Sequence, residues 1–161
     1  MKDILLDLNP DFLLVHGDTT TTFSASLAAH YSQVRIGHVE AGLRTRDRYS
    51  PFPEEMNRRL TSQLTTLHFP PTEGARDALL REGFAQANIH VTGNTVIDAL
   101  HLTLSDDYEF IDPALQRMEP DKKIILVTTH RRENFGEPLL GICSAVAELA
   151  DSRDDLAVVW P

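Results

Sequence analysis

The sequence predicts an α/β fold, a parallel sheet flanked by helices. Short apolar runs alternate with segments of helical periodicity along all 161 residues, the rhythm of β-α-β units. Phe12–Val15 is continuously apolar and Lys123–Thr128 strongly apolar, rather than alternating, as strands covered on both faces are. Several of these runs end at a turn that hands the chain directly to a helix.

The elements follow in order. Residues 2–8 read as a helix stopped by Asn9-Pro10, since proline cannot continue one. Phe12 to Val15 read as a buried strand ending in His16-Gly17, and Thr19 to Tyr31 as a helix with Phe23, Leu27 and Tyr31 on one face. Val34 to Val39 read as the next strand. A long loop over residues 41–53, with Gly42, Pro51 and Pro53, leads into a helix from Glu54 to Thr66 that carries Met56, Leu60 and Leu64 on one face. A brief strand at Leu67–Phe69 precedes a helix from Thr72 to about Glu82. Ile89–Thr92 read as a further strand, followed by Gly93-Asn94 and a helix to about Leu104. Residues 105–122 are polar and acidic. After them come a strand at Lys123–Thr128, a helix at Glu137–Ala150 and a strand at Leu156–Trp160. The change of texture near Gly93 divides the chain into residues 1–93 and 94–161. Neither end reads as a natural domain edge, so the expectation is a piece of something larger.

Composition excludes several function classes. With 15 basic and 24 acidic residues the net charge is −9, which argues against nucleic acid, whose binding needs a basic footprint, and against an anionic membrane surface. Local basic clusters at 44–48 (R-T-R-D-R) and 130–133 (H-R-R-E) could still hold a small phosphate. The N-terminus lacks the long apolar core of a signal peptide, and no apolar run approaches a membrane span. A cytoplasmic location is expected. Cys143 is the single cysteine, expected as a small buried hydrophobe.

The chemistry concentrates at four stations. In His16-Gly17-Asp18-Thr19-Thr20-Thr21-Thr22, a helix N-terminus follows a glycine turn. Either Asp18 or Thr19 caps the helix, or the free N–H groups receive an anion. No Walker A loop and no G-x-G-x-x-G occurs. Glu40, in His38-Val39-Glu40, suits a general base or a ligand hydroxyl, or else a salt bridge to Arg44. A zinc deaminase reading fails for want of a second cysteine. Glu54 and Glu55 open a helix, where acids are favourable, and their i,i+4 pairs with Arg58 and Arg59 would only steady it. In Thr129-His130-Arg131-Arg132, a histidine and two arginines suit a diphosphate. His30, His68, His90 and His101 show no metal spacing.

Taken together, V-H-G-D-T-T-T-T, G-H-V-E-A-G-L-R-T, Y-S-P-F-P-E-E-M-N-R, H-F-P-P-T, T-G-N-T-V-I-D-A-L and T-H-R-R-E-N-F-G-E-P strongly resemble the non-hydrolysing bacterial UDP-N-acetylglucosamine 2-epimerases. The resemblance implies the GT-B architecture of two Rossmann-like domains, here truncated at both ends. Residues 1–93 would be the second half of the N-terminal domain and 94–161 the opening β-α-β of the C-terminal one. It implies interconversion of UDP-GlcNAc and UDP-ManNAc for surface polysaccharide precursors, by elimination of UDP to a 2-acetamidoglucal and re-addition. Proton transfer on both faces of C2 explains the need for several carboxylates. By motif position Asp18, Glu40 and Glu54 match the family's active-site carboxylates, and His130 the histidine that contacts UDP. Arg131 and Glu54 match positions implicated in activation by a second UDP-GlcNAc. No metal or nicotinamide cofactor is implied, and a full-length member is expected as a homodimer.

The family's G-T-R-P-E-A-I-K, D-S-G-G-x-Q-E-E and R-[DE]-x-T-E-R-P-E segments do not occur in the chain. The expected consequences are a missing nucleotide half-site, an exposed apolar edge at Phe12–Val15 prone to self-association, and poor folding in isolation. The alternatives are a catalytically incompetent remnant acting as an association module, or another GT-B nucleotide-sugar enzyme such as a hydrolysing 2-epimerase.

Overall fold

In the computed structural model, which describes residues 1–105, 107–129 and 134–161, the chain divides into two compact units, Met1–Leu104 and Ser105–Pro161. The first contains a parallel sheet of β1 (Phe12–His16), β2 (Arg35–Val39) and β3 (Leu67–Phe69), in the order β1-β2-β3. Phe12 pairs with Arg35 and His16 with Val39, while His38 stands opposite His68.

Helices connect and cover these strands. α1 (Lys2–Leu8) ends where Asn9 turns into the left-handed region at φ 43°, a C-terminal stop asparagine tolerates. α2 (Thr20–Tyr31) joins β1 to β2 and presents a small-residue face of Thr22, Ser26 and Ala29 inward. It packs on β1, β2, α1 and α3 (Glu54–Leu64). The core of this unit is Leu5, Val15, Ala29 and Ile36, with Leu13, Ala25, Val34 and Leu64 packed against it. A second cluster of Ala41, Leu79 and Ile89 lies under α4 (Glu73–Arg81). α5 (Thr95–Thr103) closes the unit.

β1 is the exposed apolar edge expected at Phe12–Val15, and Leu14 is 65% exposed. The structure changes three other expectations. Ile89–Thr92 form no strand. Only a bridge from Ile89 to His68 forms, with His90 N–H donating to the His68 carbonyl and Thr92 N–H to that of Pro70. Pro70 and Pro71 have no N–H with which to extend the ladder. The apolar row of α3 is not its inward face: the helix buries Glu55, Asn57, Arg58, Thr61 and Ser62, and leaves Leu60 exposed. Cys143 is exposed, because α7 (Glu137–Ser152) buries none of its residues.

In the second unit, β4 (Lys123–Leu126) and β5 (Leu156–Val159) pair in parallel, Lys123 opposite Leu156, with α7 packed on β5. A short helix, α6 (Pro113–Gln116), interrupts the polar stretch. It begins at Asp112, whose carboxylate accepts from Ala114 N–H at 2.7 Å. Among the described residues no helix is long and apolar enough to cross a membrane.

Candidate active site

Because His16 pairs with Val39, the next residues of β1 and β2 leave the sheet side by side. Gly17 N–H donates to the Val39 carbonyl at 3.0 Å. Gly17 has φ +70°, and a Cβ there would come within 3.3 Å of the Glu40 carboxylate. The glycine therefore provides both the turn and the room for Glu40. Glu40 itself has φ 65°, a conformation that costs a non-glycine residue about 1–3 kcal/mol and gathers at functional sites. Its N–H is fixed by the Phe69 carbonyl at 3.0 Å. The Glu40 carboxylate faces His16, whose Nε2 is 3.4 Å away. Arg44, the alternative salt-bridge partner, instead forms a bidentate pair with Glu82 at 2.8 and 2.9 Å, which holds the Glu82 carboxyl below its ordinary range.

The capping alternatives resolve in favour of Thr19. Its Oγ1 accepts from Thr22 N–H at 3.2 Å, and the Thr22 hydroxyl donates to the His16 carbonyl at 2.6 Å. Asp18 is thereby released from capping. Its carboxylate lies 3.5 Å from Arg58 Nη1, and its backbone carbonyl accepts from Asn57 Nδ2 at 3.0 Å. Burial raises the Asp18 pKa above the ordinary carboxylate value, the Arg58 charge opposes this, and the Glu54 and Glu55 charges reinforce it. Glu54 thus belongs electrostatically to the Asp18 site.

The expected i,i+4 pairs on α3 do not form among the described residues. Arg58 pairs with Glu55 at i,i+3 instead, at 3.0 Å. The fully buried Glu55 also accepts from Thr45 N–H at 3.0 Å and Arg46 N–H at 3.3 Å. Glu55 is therefore the anchor that moors the 41–53 loop to α3. Below the site, buried His38 donates Nε2–H to the Gly17 carbonyl at 2.8 Å. That bond requires the Nε2–H tautomer, and burial lowers the ring's pKa to about 4.

The structure thus brings Asp18, Glu40 and Glu54 to one edge of the sheet. His130 and Arg131 lie outside the described residues. Sequence reasoning assigned no role to His16 or Asn57, and read Arg58 only as a helix-steadying partner of Glu54. The available signal was the polar row Glu55–Arg58–Ser62, at helical spacing along α3. Among the described residues no group of three or more His, Cys, Asp or Glu side chains could hold a metal.

A family model described as UDP-N-acetylglucosamine 2-epimerase matches residues 1–161. The chain belongs to this epimerase family. The UDP-N-acetylglucosamine 2-epimerase of Escherichia coli K12 is 51% identical over 174 residues, a match covering 100% of this chain and 44% of the relative. The S. aureus MnaA–UDP co-structure is 51% identical with a TM-score of 0.93, covering 99% of this chain and 43% of that one. The UDP-GlcNAc 2-epimerase from Neisseria meningitidis bound to UDP-GlcNAc is 48% identical with a TM-score of 0.92, covering 99% and 44%. The chain therefore spans less than half the length of these epimerases, and its α/β fold is theirs.

Proposed function

We propose that the chain carries the carboxylate half of a non-hydrolysing UDP-N-acetylglucosamine 2-epimerase site, with residues 1–93 from its N-terminal domain and 94–161 from its C-terminal one. The observation that supports this most is the convergence of Asp18, Glu40 and Glu54 beside β1 and β2 in a chain of this family. One carboxylate removes the C2 proton as the C1–O bond to UDP breaks, leaving a C1=C2 double bond in a 2-acetamidoglucal. UDP then re-adds at C1 while a second acid delivers a proton to the opposite face of C2. A carboxyl whose pKa is raised toward neutrality, as burial raises that of Asp18, is suited to such transfer. His130 and Arg131 follow β4 in sequence and supply the contact to the departing diphosphate. The route needs neither a metal nor a nicotinamide. Activation by a second UDP-GlcNAc through Arg131 and Glu54, a homodimeric full-length enzyme and a cytoplasmic location go with this reading.

Solvent exchange tests it. Incubated with UDP-GlcNAc in D₂O, a full-length enzyme containing this chain is expected to place deuterium at C2 and to lose that activity on Asp18→Asn, Glu40→Gln or Glu54→Gln. Exchange that survives all three substitutions would overturn the assignment. Release of free ManNAc would favour the hydrolysing branch. An inert chain beside an active full-length relative would leave the remnant reading.

A further inference from the structure

The basic cluster at 44–48 is not absorbed by the carboxylate site. Arg44 and Arg46 from this loop, Arg59 from α3 and Arg81 from the last turn of α4 line one cavity of about 420 Å³, together with Glu55 and Glu82. We propose that this cavity is a binding site for a small, multiply charged phosphate compound, recognised through its diphosphate group.

Charge accounting within the cavity leads to this. Both carboxylates are already neutralised from inside, Glu82 by the two-pronged Arg44 pair and Glu55 by Arg58. Arg44, its side chain only 6% exposed, also donates to the Leu43 carbonyl and to Ser62 Oγ, so its fork is fully committed. Among the described residues, Arg46, Arg59 and Arg81 have no carboxylate within salt-bridge distance, and all three are exposed. Three arginines without a carboxylate at salt-bridge distance therefore line one concavity of a chain whose net charge is −9. Like charges held together repel, and a bound anion removes that cost.

The geometry is built rather than incidental. Arg46 has φ 68°, a left-handed backbone that bulky residues avoid, and its N–H is held there by buried Glu55. Arg59 and Arg81 rise from two helices. The cavity volume lies within the roughly 300–1,000 Å³ of small-molecule sites. All of its cations are guanidiniums, whose planar forks match paired phosphate oxygens, whereas a lysine offers only a point charge. A second cavity of about 260 Å³ shares Arg44, Arg46 and Arg81, which gives room for a group larger than a single phosphate.

The experiment is a calorimetric titration of the purified chain with inorganic diphosphate and, separately, with UDP. It needs no turnover, so its outcome is independent of the epimerase reading. Saturable diphosphate binding with a Kd near or below about 1 mM is expected. It should weaken at least about tenfold in the Arg59→Gln/Arg81→Gln double variant and stay unchanged in Arg48→Gln, which removes a positive charge outside the cavity. The substituted side chains are exposed, and coincident thermal melts will confirm that the variants remain folded. Competition by UDP would assign a nucleoside-borne diphosphate, and its absence a free one. No saturable binding of either compound, or equal weakening by Arg48→Gln, would overturn the proposal.

Discussion

Arg58 Nη1 lies 3.5 Å from the Asp18 carboxylate, so a helix side chain that reads as surface charge in sequence is the cation of the candidate site. Its Nε simultaneously faces buried Glu55 at 3.0 Å. One guanidinium therefore ties the β1–α2 turn and the loop anchor together.

Replacing Arg58 by glutamine removes the charge that lowers the Asp18 pKa, while burial and Glu54 go on raising it. The Asp18 titration, followed by carboxyl NMR, is expected to move further up. Glu55 is left buried without its cation, which costs on the order of 3–5 kcal/mol when one member of a buried pair is lost. A melting curve and an Asp18 titration both matching the unsubstituted chain would contradict this account.

Stability is expected to fall in acid through His38 and His68. These rings stand opposite each other in β2 and β3, both are buried, and the Nδ1 atom of each lacks a partner. Burial lowers both to a pKa of about 4 from 6.5. The folded values lie below the unfolded one, so the unfolded chain takes up protons first as the pH drops. The stabilisation is complete above about pH 6.5 and is lost between there and pH 4. Each ring contributes up to ~3 kcal/mol. Urea midpoints at pH 7, 5.5 and 4.5 should decline, and the slope should flatten in a His38→Gln/His68→Gln variant.

Glu55→Ala should release the loop before α3. Its carboxylate receives the N–H groups of Thr45 and Arg46. Tryptic cleavage after Arg46 and Arg48, both exposed, is expected to accelerate at least about tenfold as local opening becomes easier. An unchanged cleavage rate would show that the loop is held by something else.

Two glycines in one region should respond in opposite directions. Gly42 has φ +85°, and a Cβ there would collide with the Ala75 backbone carbonyl. Gly42→Ala is expected to cost roughly 3 kcal/mol or more through strain and overpacking. At Gly74, in α4, the nearest atom to a Cβ is Thr72 Oγ1 at 3.8 Å. Gly74→Ala should therefore gain about 0.5–1 kcal/mol, because alanine has less freedom to lose on helix formation. Denaturant midpoints of the two variants decide the matter.

Most of the fold was legible because its signals are local. The Thr19 cap, the Asn9 stop and the apolar runs depend on neighbours a few residues away. The Ile89–Thr92 strand was misread because its failure lies in the prolines of another segment. Cys143 was misread because burial depends on what covers α7, and sequence periodicity says nothing of that. The α3 face was read from its apolar row, whereas its inward face is polar and small, because it packs on the small-residue helix α2 and holds the 41–53 loop and Asp18.

By itself the sequence determined the order of strands and helices, the family through its motifs, and the three acidic stations as candidates. Local propensity and short patterns are enough for that. Only the tertiary structure decided that Thr19 caps while Asp18 stays available, that Glu40 meets His16 rather than Arg44, and that Arg58 rather than Arg44 serves the site. It also gathered Arg46, Arg59 and Arg81 around one cavity. Each of these outcomes depends on which distant side chain arrives first at a given charge, and parallel strand register and helix packing settle that.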